Sequence, residues 1–334
     1  MQLEHLQQDT IRPSFPWTRE RIAEYARQHA QPVQIRGQYL TRFFVWSMLR
    51  LLRLLSWNNA YRFGTSIGRL LHVLKVRRSI AMTNLDIVFG DGKTPEEKNE
   101  IYRKSLLNLG RQVVNYMRIR KMDDEFWQND FELLNGRIID EAYNKGRGVI
   151  LIYSHFGPWE LPGGRIAHAG YPISVVAKRL KNSVMERLVV GARRDMNLGT
   201  IKHRDAMDRI ITGLKNGEGI VMVIDQNMKR SQGVFVQWLG RVASTVKSTA
   251  WIARQTGAAV ITGYAVQYGP RKFKMVMTEE VPWETHEDPQ QELIVNTQNY
   301  ARAVEKHIYD MPEQWFWLHR RWKLQPEGVP NPYH

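Results

Sequence analysis

Four short apolar runs constrain this chain more than anything else in it. They are Gly148-Val149-Ile150-Leu151-Ile152-Tyr153, Ile173-Ser174-Val175-Val176-Ala177, Gly219-Ile220-Val221-Met222-Val223-Ile224 and Ala259-Val260-Ile261-Thr262-Gly263-Tyr264. Short continuous apolar runs of this kind read as strands covered on both faces. Helical patterns separate them, at about 183–196, 205–215 and 244–256. Strands alternating with helices predict an α/β fold: a mostly parallel central sheet flanked by helices. Phe273-Lys274-Met275-Val276-Met277 alternates and reads as an antiparallel edge strand. A last helix runs from about 288 to 309, and Met311-Pro312 stops it.

The N-terminal part is helical instead. One pattern covers about 61–76, a turn falls at Gly90-Asp91-Gly92-Lys93, and Thr94 with Glu97 forms a capping box that opens a helix to about 118. There is no internal repeat and no low-complexity segment. The simplest organisation is one α/β domain over 61–330, a helical segment over 38–60 and an N-terminal extension over 1–37.

Residues 43–57 carry Phe43, Phe44, Met48, Leu49, Leu51, Leu52, Leu54 and Leu55 around most of a helical circle. At about 100° per residue, Arg42, Arg50 and Arg53 share a narrow wedge with Trp46 and Trp57. A spanning helix needs about 20 apolar residues without mid-span charge, and the arginines argue against one here. A wide apolar face beside a basic wedge with tryptophans predicts a helix lying in a membrane interface. The alternative is a core-facing helix. Asp9, Glu4, Glu20 and Glu24 interrupt the first residues, so no signal peptide is expected.

The charge balance points the same way. The chain has 48 Lys and Arg against 33 Asp and Glu, a formal charge of +15, and 11 tryptophans. That pairing suits an anionic membrane interface or a nucleic-acid surface. Cysteine is absent, which excludes disulfides, thiolate metal sites and a cysteine nucleophile. No metal is expected.

Two motif matches lack their structural context. Gly64-Thr65-Ser66-Ile67-Gly68 fits a hydrolase nucleophile elbow, but it lies inside a helical pattern rather than between strand and helix. Gly92-Lys93-Thr94 resembles the end of a phosphate-binding loop, but Ile87 stands where the upstream glycine is required.

The informative stretch is Ser154-His155-Phe156-Gly157-Pro158-Trp159-Glu160-Leu161. It puts His155 at the carboxyl end of a buried strand, where open α/β sheets bind ligands. Pro158 suits the first position of a helix, which would place Glu160 in its first turn. On a continuous helix, residues five apart point about 140° away from each other, and a Gly-Pro turn can fold the carboxylate back towards the imidazole. A histidine steered by an acid is what acyl transfer to an alcohol needs. The plain alternative is a histidine satisfied at a strand end and a glutamate serving a helix dipole.

His155 and Glu160 after a buried strand resemble the catalytic His-x4-Asp/Glu motif of glycerolipid-type acyltransferases. Lys178-Arg179…Asn182, Arg193-Arg194, Ile224-Asp225-Gln226-Asn227, residues 233–240 and the run Pro312-Glu313-Gln314-Trp315…His319-Arg320-Arg321-Trp322-Lys323 follow in order. With residues 326–330, this series resembles the late acyltransferases of lipid A biosynthesis, over roughly residues 40–330.

The resemblance implies an O-acyltransferase on the cytoplasmic face of the bacterial inner membrane. It would move an acyl chain from acyl carrier protein or coenzyme A to a hydroxyl of a lipid A precursor, with no other cofactor. His155 would be the base and Glu160 its partner. Arg179 and Asp225 would serve the anionic substrate together with an arginine that is either Arg193 or Arg194, and Arg320 and Arg321 could grip head groups or form a solvated basic face. Phe156, Trp159, Phe235 and Trp238 could line an acyl groove or pack in the core. Gln226-Asn227-Met228 departs from the second acid and Tyr-Gly common in enterobacterial members, and Gln237 from the usual proline. A lipid hydrolase using the same dyad and a nucleic-acid-binding protein are the competing readings; the latter finds no recognisable nucleic-acid-binding motif.

Overall fold

The computed structural model describes residues 17–30, 39–177, 180–202 and 206–333. Its strands are β1 (Phe131–Leu134), β2 (Val149–Tyr153), β3 (Ile173–Ala177), β4 (Gly199–Lys202), β5 (Gly219–Val223), β6 (Gly233–Trp238), β7 (Arg241–Val246), β8 (Ala259–Gln267) and β9 (Phe273–Glu280). Seven of them form one sheet in the order β1-β9-β8-β2-β5-β3-β4, and β6 and β7 pair as a separate hairpin. From β8 to β4 every pairing is parallel. β9 runs antiparallel to β8, and β1 then pairs parallel with β9.

The helices are α1 (Arg19–His29), α2 (Tyr39–Leu54), α3 (Trp57–Val73), α4 (Arg78–Phe89), α5 (Pro95–Met117), α6 (Arg137–Asn144), α7 (Pro162–His168), α8 (Ser183–Asp195), α9 (Ala206–Lys215), α10 (Ser248–Thr256) and α11 (Pro289–Asp310). They cover both faces of the sheet, which is why β2 is buried along its whole length. Its side chains alternate between two cores. Ile150 and Ile152 join α4, α5, α9, α10 and α11 on one face. Val149, Leu151 and Tyr153 join α1, α6, α7 and α8 on the other.

Several local expectations are corrected. The strand at 273 lies inside the sheet, because the four-residue β1 takes the edge. The helix expected from 244 begins at Ser248, since residues 241–246 form β7. The segment 43–57 divides: Ser56 caps α3 by accepting from the Asn59 N–H at 3.2 Å. Trp57 therefore opens α3 and stacks on Phe126, ring centroids 5.3 Å apart. The capping box at Thr94 and Glu97 forms with both of its hydrogen bonds.

The Gly-x-Ser-x-Gly match serves helix packing. Gly64 and Gly68 of α3 meet α5 so closely that a Cβ on Gly68 would lie 2.4 Å from the Leu106 carbonyl oxygen. Ser66 is exposed, and its hydroxyl donates to the Arg62 carbonyl of the preceding turn at 3.1 Å.

On α2, Tyr39, Phe43, Trp46, Leu51 and Leu54 are exposed, and on α3 Phe63, Leu70 and Val73 are exposed as well. Arg50 stacks on Trp46 at 4.1 Å. Among the described residues no helix is long and apolar enough to cross a membrane. Within the N-terminal extension, α1 docks on the sheet through Tyr25, whose hydroxyl is 2.7 Å from Ser174 Oγ and 2.7 Å from Glu218 Oε2.

Candidate active site

Two neighbouring parallel strands end together. β2 leads to Ser154 and His155, and β5 leads to Ile224 and Asp225. The Ile224 N–H donates to the Tyr153 carbonyl at 3.0 Å, extending the ladder one step beyond the strands. This sets His155 and Asp225 side by side at the carboxyl edge of the sheet, the edge where such folds bind their ligands.

Asp225 holds the histidine twice. His155 Nδ1 lies 2.7 Å from Oδ1, and the His155 backbone N–H donates to Oδ2 at 2.8 Å. The Trp315 indole N–H donates to Oδ2 as well, at 2.8 Å. The C-terminal segment carrying Trp315 is laced to the turn after β2. Gly157 N–H donates to the Gln314 carbonyl at 2.9 Å, and Phe316 N–H to the His155 carbonyl at 2.9 Å. Gly157 has φ +53°, and a Cβ there would fall 2.0 Å from the Ala265 carbonyl oxygen, so the turn needs glycine.

Burial by itself pushes the Asp225 carboxyl up, but the adjacent imidazole and the donated hydrogen bonds outweigh it and hold the group at about 2. Burial likewise opposes charge on His155, and the Asp225 carboxylate overcomes it, leaving the imidazole raised above its ordinary value. Asp225 is thus an ionised acceptor, and Nδ1 of the ring carries its proton towards it.

Glu160 has a different partner. Arg193 of α8 donates to it from Nη2 at 3.2 Å to each oxygen and from Nε at 3.4 Å. Arg193 is buried, and burial disfavours its charge, but Glu160 and the neighbouring Tyr116 keep it raised above its usual value. The expected contact between Glu160 and the imidazole is therefore corrected. The chain after His155 stays in turns and α7 begins at Pro162 instead of Pro158, so Glu160 meets α8 while Asp225 reaches the ring from β5. Glu160 still adds a smaller favourable field at the imidazole.

His155, Trp159, Glu160, Arg193 and Gln226 face a common cleft of about 1400 Å³. It continues between β3, β5, α9 and α10 along Val175, Ile210, Val221, Met222, Trp251 and Ile252. It is larger than the roughly 300–1,000 Å³ of small-molecule sites, and beside these apolar side chains it is lined by Asp208, Lys229, Ser231 and Lys247. A polar reacting centre thus opens onto a space suited to an acyl chain.

The other sequence candidates divide. Trp159 lines the cleft, with its ring 5.3 Å from the imidazole. Phe156 and Trp238 are core residues, Phe156 against Tyr264 and His307, Trp238 under Arg321. Phe235 is half-buried beneath Arg230. Arg321 is fully enclosed and donates to the Ser244 carbonyl at 2.7 Å and to Thr245 at 2.5 Å. It braces β7 and is closed to a head group, which corrects that expectation. Arg320 is exposed. Arg194 pairs with Asp195 and lines a second cleft of about 910 Å³ between α2 and α8, with Arg53, Arg120 and Arg187. Arg179 lies outside the described residues. Among the described residues no cluster of three or more His, Asp or Glu could hold a metal ion.

Sequence reasoning passed over Gln226 and Trp315 as site residues, although both sit in the runs that carry the resemblance. Residues 28–324 match the bacterial lipid A biosynthesis acyltransferase family. This chain belongs to that family. Among its relatives is the lipid A biosynthesis palmitoleoyltransferase of Escherichia coli, 27% identical over 273 residues, 81% of this chain and 87% of the relative. The lauroyltransferase of the same pathway in Escherichia coli is 27% identical over 281 residues, 82% and 88% of the two chains. A phosphatidylinositol mannoside acyltransferase of Mycolicibacterium smegmatis is 25% identical over 174 residues, 51% of this chain and 57% of that relative. As a member of the lipid A acyltransferase family, the protein is an O-acyltransferase, and the nucleic-acid-binding reading falls away.

Proposed function

We propose that the protein transfers a fatty acyl chain from a thioester of acyl carrier protein or coenzyme A to a hydroxyl of a lipid A precursor or a related anionic glycolipid. His155 is the general base. Its Nε2 takes the proton of the acceptor hydroxyl as that oxygen attacks the thioester carbonyl. The tetrahedral intermediate expels the thiolate, which collects the proton from the imidazolium, so the products are an ester and a free thiol. Asp225 stays ionised throughout, fixing the tautomer and stabilising the imidazolium between the two transfers.

The observation that carries this reading is the imidazole bonded through Nδ1 to a buried carboxylate and facing a cleft that apolar side chains line in part. The apolar stretch suits the acyl chain, and Arg193, held by Glu160, brings positive charge to the lining of the same cleft. The exposed apolar side chains of α2 and α3 suit attachment to the cytoplasmic face of the inner membrane.

Purified protein incubated with acyl thioesters and a lipid A precursor, with products identified by mass, tests the proposal. An acylated acceptor and free thiol are expected, and His155→Ala should remove both while the fold is kept. Free fatty acid without acylated lipid would assign the same site to hydrolysis instead.

A further inference from the structure

The reaction above uses Nε2 of His155, and one protein side chain already faces that atom. The carboxamide nitrogen of Gln226 lies 3.2 Å from it. Gln226 follows Asp225 directly, and Asp225 is fixed by the His155 ring and backbone and by Trp315. Its place against the base is therefore set by the same strand end that sets the acid. Because Nδ1 carries its proton towards Asp225, Nε2 of the neutral ring holds a lone pair, and the amide N–H donates to it.

An amide has a property here that neither a carboxylate nor an apolar side chain shares. One end donates and the other accepts. The neutral imidazole offers an acceptor at Nε2, and the imidazolium offers a donor at the same atom. A half-turn about the last side-chain torsion exchanges the NH₂ for the carbonyl oxygen without moving the chain, since that torsion is broad and roughly two-fold. We propose that Gln226 is a positioning residue for the base: its carboxamide donates to the neutral ring, gives way to the acceptor hydroxyl, and after rotation accepts from the protonated ring. Entry of the hydroxyl then exchanges one hydrogen bond for another, and the ring keeps a single orientation in both protonation states.

This inference rests on His155 being the base. The charged and titratable groups around the imidazole are Asp225 after β5, Glu160 in the turn after β2 with its partner Arg193 from α8, and His319 in the C-terminal segment. Asp225 in turn favours the charged forms of His307 of α11 and of Arg321. None of these contacts Nε2, so a change at Gln226 acts on that atom through its own field and hydrogen bond.

The test measures kcat/KM against pH for the wild type, His155→Ala, Gln226→Glu and Gln226→Leu, together with titration of the ring nitrogens by NMR of ¹⁵N-histidine-labelled protein. Gln226→Glu keeps the shape and puts a negative charge beside Nε2, which favours the imidazolium. Its acid limb and the ring titration should both move up by about one pH unit, with the rate recovering at higher pH. Gln226→Leu offers no partner to either form, and kcat should fall by about tenfold or more at every pH, on the scale measured for groups that orient a working residue. In Gln226→Glu, an acid limb and ring titration at the wild-type position or a loss uniform across pH would overturn the inference, as would Gln226→Leu turning over within twofold of wild type. If His155→Ala retains transfer, the base assignment itself fails; if it is inactive while both Gln226 variants behave as wild type, only the role of Gln226 fails.

Discussion

Trp315 donates its indole N–H to Asp225 at 2.8 Å across a sequence separation of 90 residues, so the C-terminal segment fixes the acid that fixes the base. The indole is fully buried and meets Trp238, Trp317 and Trp322 edge-on or tilted. Trp315→Phe keeps most of this packing and removes the donor. Asp225 retains its two bonds to His155 but can swing, and kcat should fall by roughly ten- to a hundredfold, the range for second-layer groups that orient a working residue. Steady-state kinetics beside a thermal melt separates this from unfolding. An unchanged kcat would show that the ring needs no brace from this side.

Asp225 and Glu160 both favour the charged imidazole, but they make unequal predictions about pH. The imidazole is raised chiefly because Asp225 outweighs the burial that opposes its charge. A base must be neutral to work, so activity falls as pH drops through that raised value, and the acid limb of kcat/KM lies above the ordinary histidine value of about 6.5. Asp225→Asn removes the charge and leaves the burial, so the limb moves down. The wrong tautomer is then favoured, and the plateau rate should fall on the order of 10³–10⁴-fold. Glu160→Gln leaves Arg193 buried beside a neutral amide, which lowers stability, but the limb shifts only slightly because Glu160 is the smallest contributor at the ring. A larger shift for Glu160→Gln than for Asp225→Asn would return Glu160 to the role of partner. The stability sign follows from the same interaction, counted once. Folding holds the Asp225 carboxyl at about 2, below its unfolded value near 3.9. Its contribution is complete above the unfolded value and is lost as pH falls through about 2.

The sheet was legible because β2, β3, β5 and β8 are buried on both faces and so read as continuous apolar runs. The four-residue β1, with Glu132 inside it, and the four-residue β4 carry too little pattern to be seen. His155 was legible for a local reason: it directly follows one of those runs. Its partner was not, because the distance between His155 and Asp225 depends on β2 and β5 being neighbours, and strand order is a long-range property that no spacing along the chain expresses. Glu160, only five positions away, was the nearer choice in sequence and the wrong one in space. Arg321 misled in a similar way, since a basic run looks the same whether its guanidinium faces water or braces β7.

Ser66 and Gly68 divide the nucleophile-elbow match into a testable pair. Ser66→Ala removes an exposed hydroxyl bonded only to its own helix and should leave activity and melting temperature unchanged. Gly68→Ala improves helix propensity by up to about 1 kcal/mol, yet its Cβ meets the backbone of α5 at Leu106 and Leu107, which cannot yield as a flexible side chain would. Overpacking of this kind costs about 1–3 kcal/mol, so the variant should melt lower. Loss of transfer in Ser66→Ala, with the melt unchanged, would restore the hydroxyl as a reacting group.

The exposed face of α2 makes the last prediction. Phe43, Trp46, Leu51 and Leu54 project from a helix too short and too charged to cross a bilayer, and the Arg50 guanidinium lies over Trp46 where an interfacial cation would sit. Each apolar side chain that leaves water contributes on the order of 1.5–3 kcal/mol when fully buried, and an interface buries it in part. Replacing Phe43 and Leu54 together by Glu therefore removes apolar insertion and adds repulsion from anionic lipid. Co-sedimentation with vesicles containing phosphatidylglycerol should fall at least tenfold, while activity towards a detergent-dispersed acceptor is kept because neither residue faces the cleft that holds His155. Binding by the wild type that disappears at high salt and is unchanged in the double variant would instead assign attachment to the positive charge of the chain alone, since screening weakens charge attraction and leaves apolar insertion in place.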